Sequence, residues 1–165
     1  MSDFYRSRPT WSTWFMRMAF VTAQRASCPR KHVGVLIVDE DHRIVEGGYN
    51  GAPAGLPECT LVGCDLRMID GKESCVRTLH AESNALDRAG LRARGCTMFS
   101  TVMPCRLCAL RIVQAKIDLV IYWEYYESQG TRESAGILEA GRVRLQHFDV
   151  PRDVVDGVFA LPPIQ

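Results

Sequence analysis

Two short motifs hold the side chains best able to do chemistry. His80 and Glu82 stand two residues apart in TLHAESNALDRAG (78–90), and Cys105 and Cys108 stand three apart in MPCRLC (103–108). At a helix start, residues spaced this way point their sulfurs to the same side. The unpaired N–H groups and the dipole there stabilise thiolates. One imidazole and two thiolates make three zinc ligands. Three protein ligands leave one position open, the pattern of a catalytic rather than a closed structural site. A water in that position becomes acidic near neutral pH. Glu82 is not needed for coordination and could take that proton and deliver it to a substrate. Apart, the motifs are weak, because His-x-Glu is common and Cys-x-x-Cys serves redox and structural sites too. The order H-A-E, strand, P-C-x-x-C is far more specific.

For the two motifs to meet, their helices must start at one edge of a sheet. The pattern predicts a helix over 11–27, with Trp14, Phe15, Met18, Val21 and Thr22 at helical spacing. Pro9 with Thr10 or Ser12 would begin it, and Cys28-Pro29 would end it. VGVLIV and RIVEGGYN flank the turn DEDH and read as a hairpin. GYNGAPAGLPEC is a loop by its glycines and prolines, and 59–77 reads as irregular. A helix over 79–89 closes at Gly90. A strand over 96–102 leads to Pro104 and a helix over 105–115. A strand over 118–123, a helix over 131–140 ended by Gly141, and a strand over 143–148 complete the chain. The order α-β-β-α-β-α-β-α-β predicts one mixed sheet covered by helices.

The 165 residues suit a single domain over 1–165, and 47% hydrophobic with 24% charged residues is globular composition. No apolar run is long enough to span a bilayer, and MSDFYRSRPTWSTWFMRMAF has no signal-peptide pattern. A cytoplasmic, membrane-free protein is expected. With 20 basic and 19 acidic residues, the chain lacks the field that a nucleic-acid polymer partner would need. Local arginines still suffice for a phosphate. Seven cysteines without an export signal point to metal rather than disulfides.

These motifs resemble those of the deoxycytidylate (dCMP) deaminase family of the cytidine deaminase superfamily, over about residues 8–148. HAE and PCxxC mark the superfamily, whose zinc deaminases have this signature. The resemblance rests also on VGVLIV and CVRTLHAESNA; GYNGAPAG with the early Trp-x-x-x-Phe-Met of RPTWSTWFM narrows it to the dCMP branch, and the Cys59, Gly63-Cys64, Cys75 layout resembles bacterial late-competence proteins. The resemblance implies an α/β fold of three layers, α-β-α, with a central mixed sheet of about five strands. It implies zinc-dependent hydrolytic deamination of dCMP to dUMP, supplying dUMP for dTMP synthesis. His80, Cys105 and Cys108 would hold the catalytic zinc. Glu82 would protonate N3 and then help ammonia leave. Asn50 would contact the nucleotide near its sugar, and the N–H and carbonyl of Ala81 would read the base edge. A homohexamer is implied, activated by dCTP with Mg2+ and inhibited by dTTP. The effector would bind at Gly48, Tyr49, Asn50, Gly51 and Gly55; the alternative is that these glycines only shape a turn.

Cys28, Cys59, Cys64 and Cys75 could form a second, closed zinc site. The segment around them has little apolar content, so a metal could order it; free thiols, or only three ligands, are the alternative. Cys96 reads as a small apolar core residue. Arg30, Lys31, Arg77, Arg106 and Arg132 are candidate phosphate cations. Arg106, between the two cysteines, is the first choice for the 5′-phosphate or a subunit contact. Tyr122, Tyr125 and Tyr126 could line a pocket or pack. His32, His42 and His147 read as structural or exposed. Val35-Leu36 and Ser83 depart from common family residues, which leaves 5-substituted cytosines open as substrates. Rival readings are another cytosine or adenosine deaminase of the superfamily, or a zinc-stabilised interaction module. Glu82 and the open fourth position argue against the module.

Overall fold

The computed structural model describes residues 8–69, 72–126 and 129–149. The single-domain span of 1–165 therefore includes terminal residues outside those described. Helix α1 runs Trp11–Ala23 and is capped by Thr10, whose hydroxyl accepts the Thr13 N–H. Strands β1 (Gly34–Val38) and β2 (Ile44–Tyr49) form the expected hairpin. Helix α3 (Ala81–Ala89) is followed by a 3-10 turn, Gly90–Ala93. Then come β5 (Thr97–Val102), α4 (Arg106–Gln114), β6 (Leu119–Glu124), α5 (Gln129–Ala140) and β7 (Arg144–His147).

The sheet order is β2-β1-β5-β6-β7, a mixed five-stranded sheet as expected. β1 is antiparallel to both β2 and β5, while β5, β6 and β7 are parallel. So β2 and β5 run the same way, and the chain leaves both at one edge. From that edge β2 leads toward the start of α3, and β5 leads into α4. This topology is what brings His80 and the two cysteines together.

The helices are unevenly shared between the faces. α3, α4 and α5 pack on one face over Val35, Ile37, Met98 and Val120, and α1 packs on the other over Leu36, Val38, Phe99 and Ile121. The buried stripe of α1 is Phe15, Met16, Ala19 and Ala23, whereas Trp14 is exposed and Met18, Val21 and Thr22 are half-buried. The expected stripe was thus out of phase by part of a turn, and the helix stops four residues short of Ser27. Gly34 explains the phase. A Cβ there would lie 2.0 Å from the Ala19 carbonyl oxygen and 2.5 Å from the Ala23 nitrogen. Only the small-residue face of α1 can sit that close to β1.

Gly48 does the same for α3 on the opposite face. A Cβ there would lie 2.3 Å from the Ala81 oxygen and 2.6 Å from the Ala85 nitrogen, both backbone atoms that cannot swing away. Gly48→Ala is expected to cost about 3 kcal/mol of stability and to weaken zinc retention, because α3 begins beside His80. Gly47→Ala is the control: its Cβ would meet chiefly the movable Leu36 side chain at 3.3 Å, so a urea midpoint near wild type is expected.

The stretch 59–77, expected to be irregular, is partly ordered. It holds a one-turn helix α2 (Cys59–Val62) and a small hairpin of β3 (Leu66–Ile69) and β4 (Lys72–Cys75). Every β3 residue is exposed, including Leu66, Met68 and Ile69. This hairpin has no hydrophobic core of its own, and an isolated two-stranded hairpin is marginal in water.

Candidate active site and metal centres

His80 is the N-cap of α3 and Cys105 the N-cap of α4, both in extended backbone. Cys108 follows one turn into α4. His80 Nδ1 lies 3.4 Å from Cys105 Sγ and 3.3 Å from Cys108 Sγ. Zinc bonds of about 2.0–2.3 Å in a tetrahedron put ligand atoms about 3.6–3.8 Å apart, so these three donors fit one zinc ion with a small relaxation. His80 is exposed, Cys105 half-buried and Cys108 buried, so the cluster is open on the imidazole side. Among the described residues it has three ligand groups rather than four, consistent with an open position.

The electrostatics belong to a site built for a cation. Cys105 is lowered to about 4, first by the hydrogen bond from Cys108 and then by His80, although burial opposes this. Cys108, donating that bond and buried, is pushed well up. His80 is raised to about 9 by its bond to Cys105, with Glu82 adding to it. Zinc would displace the protons held here. Glu82 lies in the first turn of α3 and is 4% exposed. Burial raises its carboxyl, and His80 opposes that rise. A carboxyl raised toward neutrality can both accept and return a proton.

The other expected contacts fare unevenly. Ala81 is fully buried as the first residue of α3, and its carbonyl faces Gly48 and is taken up in the helix. Its N–H is one of the unpaired donors of a helix start. Asn50 is 7% exposed, and its amide works inside the protein. Its Oδ1 accepts from Val33 N at 2.8 Å and its Nδ2 donates to Lys31 O at 2.8 Å. Gly51 pairs with Leu79, joining the Gly-rich loop to the residue before His80. Gly55 has φ +86°, a conformation that suits glycine. Tyr49 offers its carbonyl to Asn84 Nδ2 at 2.7 Å. Asn84, which pins α3 to the end of β2, has no signal in the sequence beyond being polar on a helix.

Arg106 pairs with Glu133 of α5 at 3.2 Å. Arg77 donates to Gly63 O, and Arg30 reaches Glu73 of the hairpin. Tyr122 packs on the core of the α3–α5 face, and Tyr125 is exposed. Tyr126 is half-buried, and its phenol is pushed up by burial, with the charges of Cys105 and Glu82 adding to it. His42 stacks on Trp11, and His147 shares a hydrogen bond with the Trp123 carbonyl oxygen, both structural roles. Cys96 is buried and donates to Arg92 O.

Cys28, Cys59, Cys64 and Cys75 do converge. Their sulfurs all lie within 4.8 Å of one another. Cys59 and Cys75 are 3.6 Å apart, and Cys28 and Cys64 are 3.9 Å apart. Those values bracket the edge of about 3.8 Å of a tetrahedral four-sulfur zinc site. Burial pushes Cys59 up to about 12. Cys75 is lowered: burial pulls the other way, but the Arg77 and Asp65 backbone groups and the neighbouring thiols outweigh it.

Comparison with known proteins bears on this geometry. Residues 9–124 match the family described as cytidine and deoxycytidylate deaminase zinc-binding region. The Bacillus subtilis (strain 168) ComE operon protein 2 is 36% identical over 152 residues, covering 90% of this chain and 77% of that protein. The deoxycytidylate deaminase of Schizosaccharomyces pombe is 34% identical over 157 residues, covering 91% of this chain and 48% of that protein. This chain therefore spans about half the length of that relative. The crystal structure of dCMP deaminase from the cyanophage S-TIM5, in complex with dCMP and dUMP, superposes with a TM-score of 0.70. It is 28% identical, and the match covers 87% of this chain and 100% of that one. The fold, the open three-ligand cluster and these likenesses agree: the chain belongs to the cytidine and deoxycytidylate deaminase zinc-binding family.

Proposed function

We propose that this chain catalyses the hydrolytic deamination of dCMP to dUMP and ammonia. The observation that carries the reading is the convergence of His80, Cys105 and Cys108 beside the buried carboxyl of Glu82. The dCMP deaminase names of the relatives supply the substrate class. Zinc, when bound by those three residues, supplies a water acidic enough to act at neutral pH. Glu82 takes a proton from the water, passes it to N3 of the cytosine ring, and returns a proton to the departing amino group. The water oxygen becomes the C4 carbonyl oxygen as the C4–N bond breaks and ammonia leaves. The N–H and carbonyl of Ala81 are assigned to the base edge. Asn50 is assigned to the sugar side, through the amide hydrogen its internal bonds leave over, and Arg106, already paired with Glu133, to a subunit contact.

Cys28, Cys59, Cys64 and Cys75 are assigned a second, structural zinc. A cytoplasmic homohexamer is part of the same reading, with dCTP and Mg2+ as activator and dTTP as inhibitor acting through Gly48, Tyr49, Asn50, Gly51 and Gly55. Leu91, Leu107 and Leu110 are exposed and supply apolar surface that subunit contacts would cover. Among the described residues no helix is long and apolar enough to cross a membrane.

The test is loss of ultraviolet absorbance with dCMP, run beside CMP, deoxycytidine, dCTP and 5-methyl-dCMP. Rapid loss with dCMP is the expected result. Activity on another member of the set alone would keep the chemistry and move the substrate, and silence on all five with zinc bound would overturn the reading. A monomer by sedimentation, with a rate indifferent to dCTP, would remove the regulated hexamer.

A further inference from the structure

A cavity of about 410 Å³ opens where the end of α1 meets the ends of β5 and β6. Phe20, Val102 and Trp123 give it apolar walls, and Lys31, His32 and Glu124 give it polar ones. None of these is a metal ligand, yet the cavity and the metal centre share backbone. Val102 is three residues before Cys105. The N–H of Met103 donates to the Glu124 carbonyl at 2.8 Å. The Lys31 carbonyl accepts from Asn50, whose neighbour Gly51 pairs with Leu79 beside His80. Cavity and centre are thus two sides of one set of loops.

The ammonium of Lys31 sits between both carboxylate oxygens of Glu124, at 2.5 and 2.7 Å. The two side chains are 48% and 35% exposed, so the pair is wet and cheap to open. Of the other candidate cations, Arg30 also lines the cavity but is turned to the carbonyl and carboxylate of Glu73. Arg77 is turned to Gly63 and Arg106 to Glu133.

We propose that Lys31 reads the 5′-phosphate of the substrate nucleotide, and that Glu124 holds the ammonium in place until the phosphate displaces it. The proposal rests on the deaminase reading and adds a specificity residue to it. A phosphate monoester carries about −1.5 to −2 charges near neutral pH, so it outcompetes a single carboxylate for the same ammonium. The long lysine stem lets the ammonium change partners without moving the backbone that Asn50 holds.

The test compares kcat/KM for dCMP and deoxycytidine, which differ only in the phosphate. Lys31→Met is expected to lower the value for dCMP about 100-fold, chiefly through KM, as for a lost hydrogen bond to a charged group. Deoxycytidine should change less than about 3-fold, since Lys31 is half exposed and its loss leaves the fold intact. Lys31→Arg should restore the preference for dCMP. Glu124→Gln should lower KM for dCMP, because it removes the competitor. A pair with only a structural role would move Lys31→Met and Glu124→Gln in the same direction. An unchanged dCMP preference in Lys31→Met, an equal loss on both compounds, or a preference that vanishes in Arg106→Met instead, overturns the proposal. Should wild-type protein turn over neither compound, the deaminase reading fails separately. Calorimetric titration of dCMP and deoxycytidine into wild type and Lys31→Met then decides: a selective loss of dCMP binding supports Lys31, and equal binding overturns it.

Discussion

Glu82→Gln is expected to cut turnover of dCMP by about 10⁴-fold while zinc content and stability stay near wild type. Positioned acid–base groups contribute about 10²–10⁴-fold. The upper end applies because Glu82 is asked to move a proton more than once in a single cycle. Glutamine keeps the volume and hydrogen-bonding shape of the side chain but cannot carry a proton. The residue is 4% exposed, so no bulk water stands in for it. Stability should not suffer, because the carboxyl is already raised by burial and a neutral amide costs less to bury. Glu82→Gln is expected to gain slightly in thermal stability. Two readouts decide between roles. Zinc retained with activity lost fits a proton carrier. Zinc lost together with activity would make Glu82 a support for the ligands, and full activity in Glu82→Gln would remove it from the mechanism.

The ligands were legible because metal chemistry constrains residue type so tightly. His80, Cys105 and Cys108 were assigned from type, spacing and their place at helix starts, and the structure brings them within coordinating reach. The four outlying cysteines were grouped by type and by the thin apolar content around them, and their sulfurs also converge. What could not be read is where backbone proximity rather than side-chain chemistry decides. The phase of α1 is set by the absence of a Cβ at Gly34, which hydrophobic periodicity does not register. The close approach of the Ala81 carbonyl to Gly48 depends on where α3 begins to within one residue. The bonds by which the Asn50 amide spans Lys31 and Val33 join segments 17 and 19 residues apart in the chain. The Lys31–Glu124 pair joins residues 93 apart, and local pattern carries no trace of it. The pattern likewise missed α2, which is one turn long, and the β3–β4 hairpin, because β3 is exposed throughout and so lacks alternation.

Cys59→Ser should have the largest effect on folding. Wild-type protein is expected to hold two zinc ions per chain, and the variant one. Cys59 is 3% exposed at the start of α2, and its sulfur is 3.6 Å from that of Cys75. A hydroxyl there is a far poorer zinc ligand than a thiolate, and it leaves three thiols crowded around an incomplete site. Structural zinc sites contribute on the order of 10 kcal/mol to small domains that depend on them. Part of that is local to 59–77 here, so a global loss on the order of 5 kcal/mol is expected, read as a fall in the urea midpoint. Cys96→Ala, which removes a buried thiol outside both clusters, should cost far less. The local consequence reaches the active site. Cys75 is five residues before His80, and Leu79 between them is paired with Gly51. Freeing Cys75 loosens the chain that delivers the imidazole, so the remaining zinc should be held about tenfold more weakly, within the range seen when support around a metal ligand is lost. Hydrogen exchange should show the change first at β3 and β4, since every residue of β3 is exposed. One zinc per wild-type chain, or a Cys59→Ser protein with unchanged metal content and exchange, would mean that the hairpin is held by Arg30–Glu73 and its own backbone bonds alone.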